Sequence, residues 1–494
     1  MEAAAADSSL PWAAQCLGAA LFAAALCVAA LGVVLTLLRR WPWCSCHVCR
    51  AYLTGSWARD FTNLGDWYAQ LLRDSPTGTV HVHVLGCTVT ANPANVEYML
   101  RTNFDNFPKG KAFAAVLGDL LGRGIFNVDG HAWRHQRKMA SLELGSVAVR
   151  SYAFGIVAQE VESRLLPVLA AAADAGVVVD LQDVFRRFAF DTICKISFGL
   201  DPCCLELEMP VSKLADAFDT ATRLCAMRGA AASPLLWRAK RLLNVGSERE
   251  LREAIALVDE LAAAMIRERR KLGVAGSHDL LSRFMASAGD DAHEVDDKYL
   301  RDIVVSFLLA GRDTVSSALT TLFMLLSSNP TVAATMRAEA SDESAPLTYE
   351  RLKRLHYTHA VLYENMRLFP PVQFDSKFCA GPDVLPDGTY VAGGARVTYH
   401  PYAMGRMPRI WGADHGAFRP DRWLTGPGGA FRPREPVQEL AVTEMKAVAV
   451  AVVRAFDVEV VGDSGAAACA PKFVSGLTAS ISGGLPVRIR RVVR

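Results

Sequence analysis

Three groups of polar residues stand where chemistry would need them. Gly311, Asp313 and Thr314 fall in the run Ala310-Gly-Arg-Asp-Thr314. Gly311 has no side chain, so another group can approach the backbone closely there. Thr314 can bond back to a carbonyl one turn earlier and bend its helix. The outcome is a groove holding a hydroxyl and a carboxylate, which suits proton delivery to oxygen as it is reduced. The same residues would also suit an ordinary kinked core helix. Glu364 and Arg367 are three apart and share a helix face. Alone, such a pair is common and nearly neutral in energy. Here Leu368-Phe-Pro-Pro371 follows at once, and Arg422 lies in Phe418-Arg-Pro-Asp-Arg-Trp423. Trp133 and Arg137 sit a helical turn apart, so an indole and a guanidinium can meet one anion. A surface cation–π pair is the plain alternative. Lys377, shortly after Pro371, offers another cation.

A fourth group is Cys44-Ser-Cys46-His47-Val-Cys49. Its spacing resembles a metal knuckle, but zinc sites usually draw ligands from two separated knuckles, and no second one is visible. The segment reads as a linker without a metal. A zinc-linked adaptor built on Cys44, Cys46, His47 and Cys49 is the rival reading.

The elements that must position these residues are mostly helices. Residues 146–173, 180–199, 247–272 and 298–328 repeat apolar positions every three or four residues, and 438–456 make a last helix. Residues 79–98 alternate apolar and polar and predict a hairpin. Residues 386–400 predict a second, with Asp387-Gly388 at its turn. Short strands follow from Phe473 to Arg491. Many helices with small sheets and no βαβ rhythm predict a mainly α, α+β body in a single domain. Arg312 and Asp313 fall in the middle of 298–328. Each would cost about 2.5–3.5 kcal/mol at a bilayer centre, which argues for a core helix.

Net charge is +2, from 53 basic and 51 acidic residues, so nothing calls for nucleic acid. The 12 cysteines are too sparse over 494 residues for a disulfide framework and read as reduced thiols. From Pro11 to Leu38 no residue is charged, a stretch longer than the ~20 residues that cross a bilayer. Glu2 and Asp7 precede it, and Arg39-Arg40 follow. That asymmetry predicts a signal anchor with a lumenal N-terminus and a cytosolic body. The expected divisions are 1–10 lumenal, 11–38 transmembrane, 39–60 linker with a stiff Trp41-Pro42-Trp43 hinge, and 61–494 the folded domain.

Taken in order, the 310–314, 364–367 and 418–423 motifs resemble the haem-thiolate monooxygenases, the cytochrome P450 superfamily. Phe104-Asp-Asn-Phe-Pro-Lys-Gly-Lys, Asn127-Val-Asp-Gly-His-Ala-Trp, Pro370-Pro-Val-Gln-Phe-Asp-Ser-Lys-Phe and Tyr402-Ala-Met-Gly-Arg-Met resemble its plant family 94. Trp43-Cys-Ser-Cys-His-Val-Cys-Arg-Ala-Tyr-Leu-Thr resembles that family's C branch, associated with oxidising jasmonoyl-isoleucine at its chain terminus. The resemblance implies a P450-type helical domain behind one transmembrane helix in the endoplasmic reticulum. It implies haem b as cofactor and an NADPH-dependent flavoprotein reductase as partner. The substrate class it implies is a fatty acyl or jasmonoyl-amino-acid chain, hydroxylated near its end. It assigns Ala310, Gly311, Asp313 and Thr314 to oxygen activation. Trp133, Arg137 and Lys377 would hold the haem propionates, and Glu364, Arg367 and Arg422 would form a buried structural triad.

One part of the pattern is absent. The superfamily holds haem iron through a cysteine in a Phe/Gly/Arg/Cys/Gly-rich loop ahead of the last long helix, yet no cysteine lies between Cys379 and Cys469. Pro436-Val437 runs almost directly into Gln438-Glu439. The flanks stay in register, as after a clean internal deletion. The chain as written is therefore expected to be inactive and to bind haem weakly or not at all. A haem-free relative that binds a ligand or a partner is the alternative.

Overall fold

The structure is a computed structural model that describes residues 18, 23–32, 44, 46–205, 213–231, 234–273, 278–287, 296–341, 347–432, 439–462, 471–474 and 476–492. The periodic stretches fold as helices close to their expected bounds. Val147–Glu160 continues through a π turn to Ala175. Leu181–Phe198 starts where the Asp180 carboxylate accepts the Gln182 N–H at 2.9 Å. It stops at Gly199, whose φ of +64° suits glycine. Ser247–Leu272 buries Leu251, Ala254, Val258, Ala262 and Ile266, a stripe of three- and four-residue steps that keeps its charged face in solvent. Glu439–Ala455 follows the expected 438–456.

Asp297–Ser328 is the one described helix long and apolar enough to cross a membrane, but 67% of its most apolar stretch is buried inside the protein. Val304, Val305 and Leu308 pack on one core cluster, and Val315 to Leu326 on another. The helix is thus the spine of the body, and its polar centre has protein partners instead of lipid.

The strands are β1 (Thr79–Val82), β2 (Cys87–Thr90), β3 (Val178–Asp180), β4 (Asp375–Phe378), β5 (Asp383–Val384), β6 (Tyr390–Val391), β7 (Arg396–Tyr399), β8 (Phe456–Val460), β9 (Phe473–Val474), β10 (Ser480–Ile481) and β11 (Pro486–Arg491). β1 and β2 form the expected hairpin, with Thr79 opposite Thr90. It is shorter than 79–98, because Asn92 caps a helix that begins at Pro93. The second hairpin needs a larger correction. Asp387-Gly388 does turn the chain, but it joins β5 to β6. Gly388 has φ +86° and its N–H bonds to the Leu385 carbonyl at 2.8 Å. β7 leaves that hairpin and lies parallel to β2 and antiparallel to β4, in the order β1-β2-β7-β4. A parallel partner so distant in sequence leaves no trace in local alternation. The C-terminal strands are as expected, with β11 between β3 and β8.

Ala23–Gly32 is an apolar helix within the expected anchor. Apart from Gly18, the rest of 11–38 and the Trp41-Pro42-Trp43 hinge lie outside the described residues. Of the segment expected as linker, His47–Thr54 is a helix with Cys49 and Ala51 buried. It joins a core cluster with Trp67, Tyr68 and β2.

Candidate functional site

Glu364 is fully buried and accepts five hydrogen bonds. Arg367 grips both carboxylate oxygens at 2.8 Å. The Arg419 N–H, the Arg422 Nε and the Trp423 indole N–H complete the set at 2.8, 2.9 and 3.0 Å. Burial pushes the Glu364 carboxyl up, but the charges and donors of Arg367, Arg419 and Arg422 outweigh it and hold the group below the usual carboxylate range. Arg367 also donates to the carbonyls of Gly405, His415 and Ala417. The helix His356–Leu368 is thereby tied to the segment 405–423 through one carboxylate. Glu364, Arg367 and Arg422, which the resemblance would place in one triad, lie within hydrogen-bonding distance here, and Trp423, the last residue of the 418–423 motif, bonds to the same carboxylate.

Helix 297–328 changes pitch at Leu309–Asp313, a π turn. Thr314 Oγ1 donates to the Ala310 carbonyl at 2.6 Å, the back-bond expected from its spacing. The close approach that Gly311 permits is made by Ile193 of the helix Leu181–Phe198. Arg312, which the sequence marked only as a reason to read a core helix and not as a site residue, is buried and pairs with Asp219 at 2.5 Å. Its neighbour Asp313 lies 3.2 Å from the same guanidinium. Burial pushes the Asp313 carboxyl up to about 6, with Arg312 pulling the other way. Asp313 borders a cleft of about 390 Å³, between Asp219 and Thr222 on one side and Leu477 to Ile481 on the other.

Trp133 packs on Phe104, with ring centres 5.0 Å apart, and Lys109 Nζ lies 5.4 Å from its ring centre. Lys109 is mostly buried, and burial together with the charge of Lys377 lowers its ammonium to about 8. Asp129, 4.0 Å away, and Asp375 offset part of that effect, and Lys109 Nζ also donates to the Val128 carbonyl at 2.8 Å. Lys109 belongs to the Phe104–Lys111 motif, and only the fold brings it beside Lys377. The Arg137 side chain is exposed, with no hydrogen bond or ion pair of its own among the described residues. These residues suit the acidic edge of a haem.

They do not extend to its iron. Phe431 stacks on His359 at 3.9 Å between ring centres, and the Arg432 N–H bonds to the Trp423 carbonyl at 3.0 Å, so the upstream flank is held in place. The helix resumes at Glu439, and residues 433–438 lie outside the described residues, as does Cys469. Cys379 is buried among Met99, Phe107 and Val397, and its thiol donates to the Gly381 carbonyl at 2.7 Å. Burial pushes that thiol up, away from the thiolate an axial ligand must be. Cys194 and Cys225 are locked in the cluster around Phe198 and Phe218. No cysteine lies between Cys379 and the helix that starts at Glu439, the stretch that carries the ligand in the superfamily pattern, so the chain offers no thiolate for a haem iron at that position.

The cysteines at 44–49 gather with His83 instead of His47. His83 begins the turn between β1 and β2 and is 37 residues from Cys46. Sequence spacing could not reveal that partner.

The family model for cytochrome P450 matches residues 76–476. Cytochrome P450 94C1 of Arabidopsis thaliana is 54% identical, over 92% of this chain and 95% of its own length. That match runs over 477 positions yet takes up only 92% of a 494-residue chain, so it includes positions with no counterpart here. Cytochrome P450 94B3 of the same plant is 47% identical, over 86% of this chain and 87% of its own. Cytochrome P450 94A1 of Vicia sativa is 38% identical, over 86% of each. The crystal structure of the cytochrome P450DA heme domain covers 87% of this chain and 92% of its own with a TM-score of 0.70. Its 21% identity supports the fold alone.

Proposed function

Because the chain belongs to the cytochrome P450 family, we propose that it is the body of a membrane-anchored family 94 monooxygenase that lacks its axial ligand. The family is one of haem-dependent oxidoreductases. The observation that carries the reading is a mismatch between two halves of one site. The Glu364 network is assembled and Lys109 lies over Trp133, while no described cysteine is set to meet an iron. A thiolate ligand drives electron density onto haem iron, and contacts at the haem edge do not replace an axial bond.

In its family role the site would hydroxylate the terminal region of a fatty acyl or jasmonoyl-amino-acid chain. The C-branch motif at 43–54 and the 54% identity to a 94C relative support that class. Electrons would come from an NADPH-dependent flavoprotein reductase on the endoplasmic reticulum membrane. Arg39-Arg40 after the apolar segment supports a cytosolic body on a single anchor. Trp133, Lys377 and Arg137, joined by Lys109, would bind the propionates. Asp313 and Thr314 would hold the proton path.

The test is a reduced CO difference spectrum of the full chain. The same measurement is made after a family-type haem loop is inserted between Pro436 and Gln438. The chain as written should show no thiolate-type Soret band, and the insertion should restore both the band and oxidation of a long-chain acid or jasmonoyl-isoleucine. A stable thiolate spectrum from the unmodified chain would overturn the reading, since Cys379 or Cys469 would then reach the iron.

A further inference from the structure

We propose that Cys44, Cys46, Cys49 and His83 form a structural zinc site that staples the segment after the N-terminal apolar stretch to the β1–β2 turn. The four ligand atoms lie within 4.8 Å of one another. Cys44 Sγ is 3.2 Å from Cys46 Sγ and 3.6 Å from Cys49 Sγ, and Cys46 Sγ is 3.9 Å from His83 Nδ1. A tetrahedral zinc with ordinary bond lengths sets its sulfurs about 3.8 Å apart, and sulfur and nitrogen about 3.6 Å apart. The three measured separations lie within about 0.6 Å of those values, and no two ligand atoms are more than 4.8 Å apart, so small side-chain adjustments would close the cluster on an ion.

The ligand set selects the metal. Three thiolates and one imidazole are a common structural zinc set, and four protein ligands leave no open position for a reaction. The surrounding backbone is arranged for thiolate sulfur. Cys46 caps the His47–Thr54 helix, and its Sγ accepts the Cys49 N–H at 3.4 Å. The Val84 N–H, next to His83, donates to Cys49 Sγ at 3.4 Å. Such second contacts orient ligands and steady their charge. The turn that carries His83 closes at Gly86, whose φ is +54°.

Each thiol would pass its proton to solvent on binding, leaving three thiolates around one divalent ion. The site would lock the His47–Thr54 helix, and with it the body, only a few residues past Arg39-Arg40. Its role is mechanical and does not depend on haem.

The full-length chain is purified in reducing, chelator-free buffer, and zinc and iron are counted separately. We expect a single zinc per chain. Replacement by cobalt(II) should give thiolate-to-metal charge-transfer bands and the ligand-field bands of a tetrahedral ion. His47→Ala should retain the metal. Cys46→Ser with Cys49→Ser should lose it. His83→Ala, which removes a ligand outright, should weaken zinc retention against a competing chelator by more than the roughly tenfold that loss of an outer partner costs, and His83→Cys should restore it. A wild-type chain without zinc overturns the proposal, as does unchanged retention in His83→Ala or a disulfide among these cysteines under the same reducing conditions. The wild-type stoichiometry and cobalt spectrum stand whether or not every variant folds.

Discussion

Gly311 and Ile193 are fitted to each other: a Cβ built on Gly311 would lie 2.3 Å from Ile193 Cδ1 and 2.6 Å from its Cγ1. Two buried helices touch at this point, and one reaches it bare. Gly311→Ala should therefore overpack the contact and destabilise the fold by about 1–3 kcal/mol. In an Ile193→Ala background the same substitution should cost much less, because the space the new methyl needs is vacated, even though Ile193→Ala carries its own loss. Urea or thermal melts of the two single variants and the double variant check this. Additive losses would show that the contact is not what makes residue 311 a glycine.

Arg367→Ala should prevent accumulation of folded protein. Glu364 would keep its burial and lose its bidentate partner, at a cost of about 3–5 kcal/mol. Soluble yield and melting temperature are the measurements. Arg422→Ala should be milder, since Arg422 makes one bond to the carboxylate from a partly exposed position.

Stability should depend on pH through Asp313 with an unusual sign. Its folded value is about 6 against an ordinary 3.8, so the folded state holds the proton more tightly than the unfolded chain does. The group's contribution is most favourable at pH below 3.8 and is lost as pH rises toward 6. Glu364, held low, acts in the opposite sense, its contribution vanishing as pH falls through its depressed value. Subtracting the pH–melting curve of Asp313→Asn from that of the parent should leave a decline confined to that window.

Lys109 should matter to haem retention once the axial loop is restored. In the loop-inserted chain, Lys109→Ala should lower haem content per chain, and Trp133→Phe should lower it less, because the phenyl ring keeps the packing on Phe104 and loses the indole donor. Pyridine haemochrome quantification would read both. Equal haem content in Lys109→Ala would place the propionates elsewhere.

The helical frame was legible in the sequence because its cause is local. The three- and four-residue steps of 247–272 face one core, and Asp180 and Gly199 mark the ends of a helix by their own backbone chemistry. Glu364 and Arg367 were legible as a pair for the same reason, three residues apart on one face. What the pair meets was decided by tertiary structure. Arg419, Arg422 and Trp423 arrive from more than 50 residues downstream, and their N–H groups converge on one carboxylate only because the 405–423 segment folds back over the helix. β7 shows the same limit, since its alternation marks a strand without saying that β2 is its parallel neighbour. Lys109 beside Lys377 and His83 beside Cys46 are likewise products of packing. Spacing along the chain records which residues share an element. Only the closed fold sets which elements share a space, and there Ile193 found the bare backbone of Gly311.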